Sequence, residues 1–205
     1  MSFALANLPP VTALSTALRA MDTGVSSTGT VIIKMDKVGR WVYGAAGTVA
    51  NPEATWAINP FSFIHGYIAW GPAVVLGETM VPATEPLPEL APAPSGAPKG
   101  WEAQVGLSVK CLSGDDVGME ARYTTTSVGG RKAIQALAIA IAEQVEKDQS
   151  KPVPVVILKT DSYQNKKYGR IITPVFEVID WISMDGTATT EAEVTADEPT
   201  RRRRG

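Results

Sequence analysis

The chain has one cysteine, Cys111, and one histidine, His65, in 205 residues. A single thiol excludes an intrachain disulfide framework and a multi-cysteine zinc site. A single imidazole excludes a histidine-rich metal centre, and any triad would have to rest on His65. Neither sign of charge dominates: 19 Lys and Arg stand against 21 Asp and Glu, for a formal net charge of −2. Coating of duplex DNA by bulk positive charge is therefore disfavoured, while a local basic patch stays open. Apolar runs are short, and none reaches the roughly 18 residues that would span a bilayer. The start, MSFALANLPPVTALSTALRAMD, puts no Lys or Arg before its first apolar residues and is broken by Pro9-Pro10, a pattern that predicts no export signal. These absences predict a soluble, cytoplasmic protein of a reducing compartment. No GxxxxGK[ST] loop occurs and helical patterns are too few for repeated βαβ units, so P-loop and Rossmann folds are disfavoured.

What is present is enough apolar character for a core: 44% of residues are hydrophobic and 20% charged, so a wholly disordered chain is excluded. Val11, Leu14, Leu18 and Met21 fall on one face of a short helix over 10–21, and a polar linker follows to residue 29. From Thr30 the pattern turns to β. TVIIKM (30–35) and RWVYG (40–44) read as a hairpin, and TWAI (55–58), IHGYIAW (64–70) and VVLGETMV (74–81) as further strands. Residues 82–100, PATEPLPELAPAPSGAPKG, are Pro/Ala-rich and read as an extended, partly disordered loop or flap. Alternation places Val105, Leu107, Val109 and Cys111 on one face of a strand over 101–112, with MEARYTTT (119–126) returning beside it. Ile134, Leu137, Ala138, Ile141 and Val145 mark a helix over 130–147, with Ser127 as its N-cap. Strands over 153–160 and 170–182 follow, joined by a polar tip. The stretch from Asp185 to Gly205 is polar, ends in Arg201–Arg204 and is expected to be disordered.

Several strands, one helix, then two strands is the element order of a five-stranded OB-like barrel. The expected domain is therefore an OB-like core over 30–184, mainly β with one main helix. Residues 55–81 and the Pro-rich loop 82–100 would decorate it. The alternative is an α+β sheet with one packed helix.

The segment KTDSYQNKKYGR (159–170) sets Lys159, Lys166, Lys167 and Arg170 against one acid, Asp161, and interleaves Tyr163 and Tyr168. Single-stranded nucleic acid needs both features: cations along its phosphates, and flat rings under its unstacked bases. The first hairpin offers a second such set in Lys34, Lys37, Arg40, Trp41 and Tyr43, where Trp41 could stack while Arg40 pairs with phosphate. Gly129-Gly130-Arg131-Lys132 could hold a phosphate, though a plain capping turn explains it as well. His65 reads as a structural hydrogen-bonding residue, Cys111 as a small buried hydrophobe, and Asp115, Asp116 and Glu120 as solvated. Tyr123 is expected to be buried, and Phe61, Phe63, Tyr67 and Trp70 mostly in the core. No catalytic residue, metal site or cofactor is predicted, and the chain is read as a non-enzyme.

The blocks NPFSFIHGYIAWG, VLGETMVP, LSVKCLSGDD, TTSVGG and DSYQNKKYGRIITPVFEVIDWISMDG resemble a set of small phage and prophage proteins of replication and recombination modules. That family is associated with single-stranded DNA binding. The resemblance covers residues 30–186. It implies a non-catalytic OB-type protein that protects single strands in the host cytoplasm, and it transfers no binding residue. The partners expected are single-stranded DNA and, through the C-terminal tail, phage replication or recombination proteins. A membrane is not expected as a partner, and self-association is open. The Arg-terminated tail departs from the acidic, Phe-ended tip of bacterial single-strand-binding proteins. The alternative function is a phage structural or assembly protein that ignores nucleic acid. An enzyme using His65 with Asp115 and Asp116 is a third.

Overall fold

The computed structural model describes residues 30–186. The expected first helix over 10–21 and the tail beyond residue 186 lie outside the described residues. The described chain is mainly β, with one α-helix and a sheet that curls into a half-barrel.

The strands are β1 (Val31–Met35), β2 (Trp41–Tyr43), β3 (Thr48–Val49), β4 (Thr55–Ile58), β5 (Ile64–Gly71), β6 (Val74–Pro82), β7 (Trp101–Cys111), β8 (Glu120–Thr125), β9 (Val153–Asn165) and β10 (Gly169–Ile182). Helix α1 (Val128–Lys147) lies between β8 and β9. The main path runs β10-β9-β4-β7-β8-β1-β2-β3, and β5 joins β7 with β6 outside it. Every pairing is antiparallel except β1 with β8, where Val31 meets Ala121 and Ile33 meets Tyr123.

Local chemistry explains most of these elements. On β7, Leu107, Val109 and Cys111 are buried while Lys110 between them is exposed, the two-residue period of a half-buried strand. On α1, Ile134, Leu137 and Ile141 are buried at three- and four-residue steps. The Ser127 hydroxyl accepts the Gly130 N–H at 3.0 Å and so caps a free donor of the first turn. These faces meet in one core with Ile33, Trp41, Trp56, Ile58, Tyr123 and Val156.

Three expectations are corrected. The segment 55–58 is no decoration: β4 bridges β7 and β9, and its Trp56 and Ile58 are fully buried. Four residues sufficed because both neighbours are long strands. The Pro-rich loop is not a loose flap in this fold. It lies against the β5–β6 wing, where Trp101 Nε1 donates to the Ala91 carbonyl at 2.9 Å and Pro94 approaches the β6 residue Gly77. The strand expected over 153–160 is longer, because the polar segment 161–165 lies along a long hairpin rather than only at its tip. That segment continues β9, and β9 and β10 pair from Asn165↔Gly169 back to Val153↔Ile182. The result is a two-stranded arm with its tip at Lys166–Tyr168.

Candidate nucleic-acid interface

The first hairpin and the arm, far apart in sequence, meet in space. A Cβ on Gly39, at the β1–β2 tip, would stand 3.0 Å from Ile172 Cγ2 and 3.6 Å from Thr160 Oγ1. Gly39 has φ +88°, and only a residue without a side chain takes that turn and lets the arm approach so closely. Between hairpin and arm lies a cleft of about 550 Å³, lined by Arg40, Trp41, Asn51, Pro52, Lys159 and Thr160 among others. It marks the seam where the curled sheet fails to close with a backbone ladder.

Trp41 is the main correction at the site. It is 6% exposed and belongs to the core rather than to a stacking platform. Its ring packs against Tyr123 at 5.1 Å and Phe176 at 5.7 Å. Its Nε1 donates to the Lys159 carbonyl at 3.0 Å, which ties β2 to β9 across the seam. Tyr43 is also unsuited to stacking: it is half-buried and its hydroxyl lies 2.7 Å from Asp116 Oδ1.

The cations are more accessible. Lys34 is exposed on the β1 face opposite buried Ile33, and Lys37 is exposed at the hairpin tip. Arg40 Nε lies 2.8 Å from Asp36 Oδ2. The Arg40 backbone N–H, followed by other hydrogen bonds and the guanidinium charge, holds the Asp36 carboxyl below its ordinary value. Lys159 pairs with Glu177, so part of its charge is met inside the fold. Lys166 and Lys167 are exposed at the arm tip, and Lys167 Nζ sits 5.1 Å from the centre of the Tyr168 ring.

Tyr163 and Tyr168 are exposed, at 53% and 68%. They do not form one flat platform with Arg170, because the register divides the arm. Tyr163 shares a face with Asp161 and Thr173, and Arg170 lies on the other, where its Nε donates to Ser162 Oγ at 3.1 Å. The Arg170 face looks toward the first hairpin. The Tyr163 face looks toward the start of α1, where Tyr163, Gly129, Lys132 and Thr173 line a nook of about 350 Å³. A Cβ on Gly129 would lie 2.5 Å from Thr173 Cγ2, so the glycine pair serves close packing as well as the turn into the helix. The neighbouring Arg131 has an enclosed Nε without a hydrogen-bond partner among the described residues.

The residues read as non-catalytic are placed as follows. His65 Nε2 donates to the Glu85 carbonyl at 2.8 Å and anchors the Pro-rich loop. Cys111 is buried, and burial pushes its thiol up from the ordinary value. Glu120 lies 3.2 Å from Lys110 Nζ. Among the described residues, no three His, Cys, Asp or Glu side chains gather closely enough to hold a metal. No helix among them is long and apolar enough to cross a membrane.

Two aromatics assigned to the core are exposed instead: Phe61 at 79% and Trp70 at 43%. The aromatic density of 59–71 hid this. The signal that separates them was local, since Phe61 follows Asn59-Pro60 in a 3-10 turn and Trp70 precedes the Gly71-Pro72 bend. Comparison of the chain with protein-family models, curated proteins and solved structures returned no match.

Proposed function

We propose that the protein binds single-stranded DNA without catalysis, through the arm and the first hairpin. The observation that carries this reading is the convergence of two basic hairpins. The tip bearing Lys37 and Arg40 abuts the arm bearing Lys166, Lys167 and Arg170, with Tyr168 exposed at the arm's tip and Tyr163 exposed on its other face. Cations track the phosphates and the tyrosine rings receive bases, each stacked base contributing about 1–3 kcal/mol with little sequence preference. Trp41 and Tyr43 support the site from within rather than touching DNA. The finer fold reading is an OB-like barrel built on the first hairpin, β7, β8, β9 and β10, with α1 between β8 and β9. Membership of a phage or prophage single-strand-binding family, with a role in replication or recombination, is part of the same proposal.

The test is fluorescence anisotropy with oligo(dT) and with duplex, at two salt concentrations. Tight single-strand binding and weak duplex binding are expected. Four phosphate contacts would give log K a slope near −3 against log salt. Replacing Lys166 and Lys167 with Glu weakens binding severalfold or more; unchanged affinity removes the arm from the interface. A second reading, a phage structural or assembly protein indifferent to nucleic acid, draws on the exposed apolar tip of the β5–β6 wing, Val74, Val75 and Leu76. Size-exclusion chromatography with and without oligo(dT) separates the two: the second requires a defined large oligomer that oligo(dT) leaves unchanged.

A further inference from the structure

Trp70 is the penultimate residue of β5, just before the chain bends through Pro72 and Ala73 into β6. An indole beside a tight turn gains most by folding under its neighbours, yet this one is 43% exposed, and so is its register partner Val75 at 42%. The nook beside the ring, about 350 Å³, is lined by Pro98, Lys99, Glu102 and Thr126 as well. The nook beside Tyr163 is lined by Val128 and Lys132. Thr126, just past β8, and Val128, the first residue of α1, stand two positions apart in the chain, so about 7 Å of extended backbone at most separates one lining residue of each nook. An exposed ring with an adjacent lysine therefore stands on each side of one turn.

Resting on the single-strand reading above, we propose that Trp70 is a further base-stacking station for the same strand. The strand would leave the arm at Tyr163, cross the β8–α1 turn past Lys132, and reach Trp70 with Lys99 beside it. Alternating rings and ammonium groups are what a flexible polyanion with flat bases requires, and indole is the best of the aromatic faces for such contacts. Lys99 Nζ lies 3.3 Å from Glu102 Oε1, but both groups reach solvent and such a pair holds weakly, so a phosphate can take the lysine. A tip built only to dock protein would account for Val74 and Val75. It would leave unexplained why the second ring-and-lysine nook adjoins this one.

The experiment titrates the full chain with oligo(dT) of about 4 and about 16 nucleotides, the span of single-strand sites on one small barrel. Binding is expected to quench tryptophan emission, and Trp70→Phe to remove most of that quench with little change in affinity. Trp70→Ala is expected to weaken the longer oligonucleotide by about five- to a hundredfold. It should leave the short one, which the arm alone can hold, nearly unchanged. The Phe variant keeps a ring in the turn and so guards against misfolding of the Ala variant. Quenching that survives in Trp70→Phe, together with wild-type affinity in Trp70→Ala, overturns the inference and leaves the arm reading standing if Lys166→Glu/Lys167→Glu still loses binding. A Trp70→Ala variant that binds normally but elutes at a smaller assembly size also overturns it, assigning the tip to self-association. Absence of oligo(dT) binding in the wild type sinks both readings.

Discussion

Replacing Trp41 with Phe separates a structural tryptophan from a nucleic-acid platform. The indole is 6% exposed, and its Nε1–H gives the Lys159 carbonyl its bond across the seam at 3.0 Å. Phenylalanine keeps a ring near Tyr123 and Phe176 but leaves that carbonyl without this donor, at a cost of about 1–3 kcal/mol. The smaller ring also opens space in a packed cluster, adding about 1 kcal/mol. A total of about 2–4 kcal/mol is a large share of the roughly 5–15 kcal/mol that stabilises a domain. For a folded region of this size it should lower Tm by about 5–15 °C. Differential scanning calorimetry with urea melts checks the magnitude. Oligo(dT) anisotropy, measured well below the lowered Tm, should show near-wild-type affinity. A variant with unchanged Tm and lost binding would refute the reasoning, because it would place the ring at the surface.

Two further changes probe other parts of the fold. Gly66→Ala would set its Cβ on the Thr79 carbonyl oxygen and 2.9 Å from Met80 Cα, so β5 and β6 must part; a loss of more than about 1 kcal/mol is expected. Hydrogen exchange should rise across β5 and β6 while the protection of β9 and β10 holds, and an unchanged exchange pattern would contradict the packing described. Burial raises the Cys111 thiol, as it raises the Tyr123 hydroxyl, so both ionise more readily in the unfolded chain. Their contribution is intact below the ordinary thiol value of 9.0 and is lost as the pH rises above it. Urea midpoints should fall as the pH rises above about 9, and fall less in Cys111→Ala; an equal decline would show that the thiol is not enclosed.

Strands with one wet and one dry face were legible in the sequence, because alternation on β7 and the helical period on α1 report burial directly. The Ser127 cap was legible for the same local reason. Long-range partners were not. Nothing in TWAI announces that Trp56 and Ile58 lie at the centre of the sheet, since a four-residue strand carries too little pattern to show which strands flank it. The arm was read too short because Asp161–Asn165 is polar on both faces, as a two-stranded ribbon clear of the core can be. At the candidate site the sequence left open which tyrosines face outward, and the structure exposes Tyr163 and Tyr168. Trp41 misled because Arg40 beside it is exposed, yet one step along a strand reverses the face. Trp70 misled in the opposite sense, through its apolar neighbours Ile68 and Ala69, both of which are buried.

The parallel ladder between β1 and β8 carries a cost in time. Ninety residues separate Val31 from its partner Ala121. At a ribosomal rate of about 5–20 residues per second, β1 would wait roughly 5–18 s for that strand to emerge. Only its hairpin with β2, extended by the two-residue β3, could form meanwhile, and so small a ribbon is marginal in water. The first described strand to be synthesised is thus among the last to be stitched in, and Val31 and Ile33 stay uncovered until then. A newborn chain is most at risk of sticking to its neighbours during that interval, which gives a chaperone its window.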